Sequence, residues 1–117
     1  MKFAAIYSIF VGVGMIAQWL ISYFSHQIPE LTTEPYRIAF HLAGEFITAV
    51  LLIVAGIRLF QTRKKAKRLY YVATGMLLYT SIVSPGYFAQ LGVWAWVSMF
   101  AVILILALAG LFAVSRE

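Results

Sequence analysis

The sequence predicts an all-α integral membrane protein, folded as a four-transmembrane-helix antiparallel bundle with its N- and C-termini in the cytoplasm. Composition is the first reason: 63% of the 117 residues are hydrophobic, 11% are charged, and the mean hydropathy is +0.91. Soluble domains contain about 25% charged residues. The second reason is that four apolar runs of roughly membrane length occupy nearly the whole chain, which leaves residues 1–117 as a single membrane domain.

The predicted spans cover about residues 3–24, 36–60, 67–84 and 92–114. The first is longer than the apolar region of about 7–15 residues in a signal peptide, so it is interpreted as a retained span. The third is cleanly apolar only over residues 69–83. We therefore expect its helix to begin within the preceding basic segment and to end in a turn at Ser84-Pro85-Gly86.

Basic residues predict the orientation of the spans. Arg37 is the only one on the predicted outer side, whereas eight lie on the other side: Lys2, Arg58, Arg63, Lys64, Lys65, Lys67, Arg68 and Arg116. This bias places both termini in the cytoplasm of a multi-pass protein, which we expect in the plasma (inner) membrane. Most of the basic residues form one short connector, a pattern that sets topology rather than one that binds nucleic acid.

Glu45 is the only acidic residue inside any predicted span. Arg37, His41, Glu45 and Thr48 recur at positions i, i+4, i+8 and i+11, so they share one face of the second helix. If that helix begins near Pro35, Glu45 lies about 15 Å along it, close to mid-membrane. A carboxyl group at that depth needs a partner, a proton or a water-filled cavity.

Polar residues of two other spans are predicted at similar depth: Gln18 in the first, and Tyr79, Ser81 and Ser84 in the third. We expect them to join His41, Thr48 and Glu45 around an outward-facing polar pocket, with Arg37 at its entrance. The alternative for each residue is an ordinary hydrogen bond between helices.

Three functions are consistent with this pocket. The one we favour is binding or transport of a small ligand, ion or proton at Glu45 and His41. The alternative is a non-catalytic membrane subunit or scaffold whose polar residues only pack helices, and the third is an intramembrane enzyme or redox cofactor protein. Because the chain has no cysteine, no G-x-S-x-G motif and no pair of carboxylates within one span, we expect neither enzymatic activity nor a cofactor. The expected partners are the lipid bilayer and a second membrane protein or a further copy of the chain.

A metal site would use His26, His41 and Glu45 as its ligands. Zinc requires three or four ligands in a tetrahedral arrangement, and no H-E-x-x-H or paired Glu-x-x-His motif is present. We therefore expect no bound metal.

In size and four-span layout the chain is similar to small multidrug transporters, which also use one membrane-embedded glutamate. Those proteins carry their glutamate in the first span, whereas Glu45 lies in the second. The similarity is one of architecture, and it assigns no function to any residue here.

Overall fold

Helices make up almost all of the structure, a computed structural model that describes residues 2–61 and 65–117 and has no strand within these ranges. Arg63 and Lys64 of the predicted basic connector lie outside the described residues. In chain order the helices are α1 (Lys2–Phe24), α2 (Glu30–Thr33), α3 (Pro35–Phe60), α4 (Ala66–Val83), α5 (Pro85–Gln90) and α6 (Trp94–Ser115). The four long helices begin and end within two residues of the four predicted spans.

Three of these helices, α1, α3 and α6, are long and apolar enough to cross a membrane by length and composition. The protein is accordingly a helical membrane protein. Helix α4 is less apolar because its first turn carries Lys67 and Arg68 and its 18 residues include several hydroxyl side chains. The bundle is 45 Å long, comparable to a bilayer of about 40–45 Å with its headgroups.

Contacts between helices run along a ring in which α1 packs on α3, α3 on α4, α4 on α6 and α6 on α1. Helices α1 and α3 are antiparallel, because Gly56 lies against Ala5 whereas Ala49 lies against Gly12, further along α1.

The bundle interior is built from small side chains and its outer surface from large ones. Ala4, Ala49, Ala55, Ala73 and Ala107 are all fully buried. The large apolar side chains face outward, for example Phe10, Phe40, Ile82 and Phe112. This is the arrangement expected in lipid, where small residues allow helices to approach closely and no hydrophobic force draws large ones inward.

The end of α4 differs from the predicted turn. Ser84 keeps helical dihedral angles (φ −66°, ψ −36°), and Pro85 begins the short helix α5 directly after it. Proline is well tolerated at the first position of a helix, because the N–H that it lacks would have no partner there. The chain reverses instead at Gly92, whose φ of +75° is a conformation that glycine adopts freely.

Gly12 and Gly56 set the separation of α1 and α3. A Cβ atom at Gly56 would lie 2.7 Å from the backbone oxygen of Ala5, and one at Gly12 would lie 2.7 Å from that of Ala49. Both contacts involve backbone, so a side chain at either position forces the helices apart.

We therefore expect Gly56→Ala to lower stability by about 1–3 kcal/mol, the typical cost of overpacking. The measurement is unfolding of the purified protein in detergent, followed by circular dichroism. Gly14→Ala is the matched control on α1, because a Cβ atom there meets nothing within 4 Å. Equal stability of the two variants would contradict the close approach of α1 and α3.

Candidate functional site

The carboxyl group of Glu45 lies at the interface of α3 and α4, where it is hydrogen-bonded to a residue that the sequence did not indicate. The Thr80 hydroxyl donates to Glu45 Oε1. Thr80 Oγ1 also lies 2.9 Å from Ser84 Oγ, one turn further along α4. The hydroxyl pair thus gives the buried carboxyl group a polar partner on the neighbouring helix.

His41 lies one turn before Glu45 on α3, toward the end of the helix that begins at Pro35. Its Nε2 atom is 3.7 Å from Glu45 Oε1, and the two side chains are 42% and 10% exposed, respectively. The imidazole ring also meets the indole of Trp19 on α1 edge to face, with ring centroids 5.6 Å apart. His41 is therefore the accessible member of the pair, and Glu45 is the buried one.

The remaining predicted residues are only partly assembled around Glu45. Thr48 is buried, but its hydroxyl donates to the Gly44 carbonyl oxygen of its own helix at 2.7 Å. Tyr79 is 70% exposed and faces away from the bundle. Ser81 is buried and, among the described residues, its hydroxyl has no hydrogen-bond partner. Gln18 is partly buried on α1 next to Trp19.

Arg37 does not extend toward Glu45. Its Nη1 atom lies 3.2 Å from Glu34 Oε1, in an ion pair whose two side chains are 81% and 49% exposed. An ion pair this exposed adds little stability. Arg37 thus belongs to the surface at the beginning of α3.

Of the three metal ligands considered from the sequence, the structure brings together only His41 and Glu45. Within residues 2–61 and 65–117, no three histidine, aspartate or glutamate side chains lie close enough to hold a metal ion. His26 is exposed in the loop after α1, where its backbone has a φ of 57°.

The short helices α2 and α5 meet near the end of α4 that carries Ser84. Tyr87 of α5 lies beside Glu30 of α2. Partial burial, followed by the adjacent Glu30 carboxylate, raises the pKa of the Tyr87 phenol above its ordinary value. The two helices therefore interact through a phenol that stays neutral and can donate a hydrogen bond at physiological pH.

An apolar groove lies elsewhere, on the outer surface of α1 and the end of α3. Its volume is about 490 Å³, and it is lined by Ile6, Ile9, Phe10, Val13, Gly14 and Phe60. It has no polar lining, and it is remote from Glu45. The groove suits contact with lipid chains rather than recognition of a polar ligand.

Residues 1–116 match the model of a protein family described as "Domain of unknown function (DUF8058)". The chain belongs to this family. Comparison with curated proteins and with solved structures finds no match. The family description names no activity, so the chemistry of Glu45 and its neighbours is the basis for a functional assignment.

The interaction of Thr80 with Glu45 makes a testable contribution to stability. Thr80→Val keeps the shape of the side chain but removes the donor, which leaves a buried carboxyl group without its hydroxyl partner. Leaving a buried polar group unsatisfied costs about 1–3 kcal/mol, so the free energy of unfolding should fall by that amount. Thr80→Ser, which retains the hydroxyl, should lose less.

Chemical denaturation of both variants in mixed micelles would measure this difference. Tyr79→Phe provides a control at the adjacent, exposed position. Identical unfolding curves for Thr80→Val and the parent would mean that Thr80 does not stabilise Glu45.

Proposed function

We propose that this chain is a multi-pass protein of the plasma (inner) membrane that binds a proton or a small cation at Glu45 from the outer side. In this proposal α1, α3, α4 and α6 all cross the bilayer, and both termini are cytoplasmic. The buried carboxyl group with an accessible histidine one turn away is the observation that carries the proposal.

Four crossings are supported by the packing of α4. This helix contacts both α3 and α6, and its residues Tyr70, Ala73 and Leu77 are at most 2% exposed. Packing along the bundle axis in this way supports a fourth crossing of the same layer as its neighbours. Its 18 residues extend about 27 Å, close to the hydrocarbon thickness of about 30 Å. The basic residues at the start of α4 then remain at the cytoplasmic surface.

Glu45 suits a proton or a cation because of what surrounds it. The nearest polar groups are the hydroxyls of Thr80 and Ser84 and the imidazole of His41. None of these carries a fixed positive charge, so a carboxylate formed at Glu45 lacks a permanent counter-ion. A bound proton or a small cation supplies the missing charge, and ionisable groups inside membranes commonly have this role.

His41 provides access to Glu45. It is nearly half exposed, lies on the outer side of Glu45 in the proposed topology and contacts Trp19 through its ring. An imidazole can accept a proton at one ring nitrogen and release one from the other, so it can pass a proton to a neighbour. A proton that binds at His41 is therefore 3.7 Å from the carboxyl oxygen that would receive it.

The competing proposal is a scaffold whose polar residues only hold helices together. The broad apolar surface of α6, where Ile105 and Phe112 are both more than 60% exposed, favours this alternative because another copy of the chain or a partner protein could cover it. Under this alternative Glu45 serves only as the acceptor of the Thr80 hydrogen bond.

The topology is testable because the chain contains no cysteine. Single substitutions Thr32→Cys, Lys65→Cys, Gln90→Cys and Ser115→Cys place one thiol in each exposed connector and at the C-terminus. We expect a membrane-impermeant maleimide to label positions 32 and 90 in intact cells, and positions 65 and 115 only after permeabilisation. If α4 does not cross, positions 65 and 90 will react on the same side.

Proton binding at Glu45 is tested with the purified protein in liposomes that contain a pH-sensitive dye. A potassium gradient with valinomycin provides the driving voltage. We expect the parent to acidify the lumen and Glu45→Gln to reduce the rate to that of empty vesicles. Glu34→Gln is the matched control, because Glu34 is an exposed carboxylate that lies outside the site.

A protein that binds without transport would show no flux, so a second measurement is needed. A hydrophobic carbodiimide modifies carboxyl groups only in their protonated form, and mass spectrometry locates the adduct. We expect modification of Glu45 to decrease as the external pH rises. If Glu45→Gln leaves proton flux unchanged and Glu45 of the parent is never modified, the scaffold is the correct alternative.

A further inference from the structure

The apolar groove on the outer surface of α1 and α3 starts at the end of the bundle that carries most of the basic residues. Phe60, the last residue of α3, and Ile6, near the start of α1, line it there. The lining continues along α1 to Gly14, a rise of about 12 Å from Ile6. The groove therefore extends from near the membrane surface into the hydrocarbon region.

The dimensions and lining of the groove suit a hydrocarbon chain. Its volume of about 490 Å³ is within the usual range of about 300–1,000 Å³ for ligand sites. Phe10 and Phe60 project beside it and are 75% and 47% exposed, respectively. At Gly14 a Cβ atom would meet nothing within 4 Å, so the groove stays open at its inner end.

Lys2 lies on the helix face that lines the groove. Lys2, Ile6, Ile9 and Val13 occupy positions i, i+4, i+7 and i+11 of α1, and the last three line the groove. Lys2 is exposed and comes one turn before Ile6, on the side of the membrane surface. Its ammonium group is thus placed beyond the apolar part of the groove, at the depth of lipid headgroups.

The register of α1 and α3 brings Lys2 level with the end of α3. Gly56 lies against Ala5 and Ile9 of α1. Because the two helices are antiparallel, Phe60 is one turn closer than Gly56 to the end at which Lys2 lies. Lys2 and Phe60 therefore border the same end of the groove from the two helices.

This end of the bundle has an excess of positive charge. Lys65 precedes α4, and Lys67 and Arg68 lie in its first turn. Of the four acidic residues in the chain, only Glu117 lies at this end, after α6. A negatively charged group is therefore favoured next to the open end of the groove.

We propose that the groove and Lys2 form a binding site for an anionic glycerophospholipid. One acyl chain lies in the groove between Ile6 and Gly14, and the phosphate group of the same molecule lies against the Lys2 ammonium. Basic side chains at the cytoplasmic end of membrane helices commonly bind anionic headgroups in this way. A neutral lipid provides the chain without the net charge, and free phosphate provides the charge without the chain.

Charge also argues against a second copy of the chain as the occupant of the groove. Two copies that insert in the same orientation place their basic ends side by side, so Lys2 of one copy approaches the positive end of the other. Like charges repel, whereas an anionic lipid is attracted to the same position. The site is separate from Glu45 and does not depend on the function proposed there.

Native mass spectrometry of the full chain, released from detergent, tests the selectivity of the site. The probes are phosphatidylglycerol and phosphatidylcholine with identical acyl chains. We expect the parent to retain one phosphatidylglycerol more tightly than phosphatidylcholine, and Lys2→Gln to bind phosphatidylglycerol about fivefold more weakly, the effect of one basic residue near an anionic surface.

Arg116→Gln is the matched control for charge. Arg116 lies at the same end of the bundle over the Phe112 ring of α6, a helix that contributes none of the described lining residues. We expect this variant to bind phosphatidylglycerol like the parent. Equal affinity of the parent for the two lipids, or equal loss in Lys2→Gln and Arg116→Gln, would overturn the proposal.

A phosphatidylglycerol with a photoreactive diazirine in one acyl chain locates the bound lipid. We expect cross-links on residues 6–14 of the parent, and their loss in Gly14→Phe, which fills the inner end of the groove. Gly75→Phe is the control, because Gly75 is an exposed glycine of α4 at which a Cβ atom also meets nothing within 4 Å. Cross-links as abundant on α6 as on α1 would contradict a site in the groove.

The same spectra report whether a second copy occupies the groove instead. A dimer that Gly14→Phe converts to a monomer, with phosphatidylglycerol still bound, would show that the lipid site is wrong. Glu45→Gln should bind phosphatidylglycerol like the parent. Failure of the proton-flux experiment therefore leaves the lipid site standing, and failure of lipid binding leaves the proposal for Glu45 standing.

Discussion

The close approach of α1 to α3 is the constraint on which the rest of the structure depends. Backbone contacts at Gly12 and Gly56 fix both the separation of the two helices and their antiparallel register. That register places Trp19 beside His41 and therefore determines which side of α3 is covered near Glu45. In lipid, apolar surface gains nothing from burial between helices, so close packing of small residues has to supply the association energy. An interior of alanine and glycine surrounded by large exposed side chains follows from that requirement.

Because the interior is built from small side chains, polar groups make up a noticeable part of it. Small side chains bring helix backbones together but leave few large apolar groups to fill the centre, and hydroxyls of Thr74, Thr80 and Ser81 occupy part of it instead. Glu45 can be buried because Thr80 and Ser84 are already there to meet it. Leu52 follows Glu45 on α3 and Leu77 precedes Thr80 on α4, and both are buried, so the region next to Glu45 on the side away from His41 is apolar. The carboxyl group is thus open toward the histidine and closed in the other direction.

Much of the fold was predictable from the sequence, and so was the pairing of His41 with Glu45, whereas the hydrogen bond from Thr80 was not. Runs of about 20 apolar residues define helix limits closely, so the four long helices begin and end near their predicted positions. The rotation of α4 about its axis was harder to derive, because polar residues follow one another from Tyr79 to Ser81. Consecutive residues on a helix point about 100° apart, so only one of the three can face α3. Thr80 is the residue that contacts Glu45 on α3. The sequence alone does not determine the rotation of α4 about its axis, so it could not identify Thr80.

For Arg37, the helical periodicity was correct but did not reveal which residue its side chain contacts. It shares a helix face with His41 and Glu45, yet it pairs with Glu34 in the preceding loop, because an exposed arginine at a helix start is free to bend toward the nearest carboxylate. With Arg37 paired to Glu34 at the surface, the side chains that the structure places against Glu45 are the Thr80 hydroxyl and the His41 imidazole, and neither carries a fixed positive charge. An arginine held next to Glu45 would have kept it permanently paired and unable to exchange a ligand. The pairing of Arg37 with Glu34 therefore leaves Glu45 available for the binding proposed there.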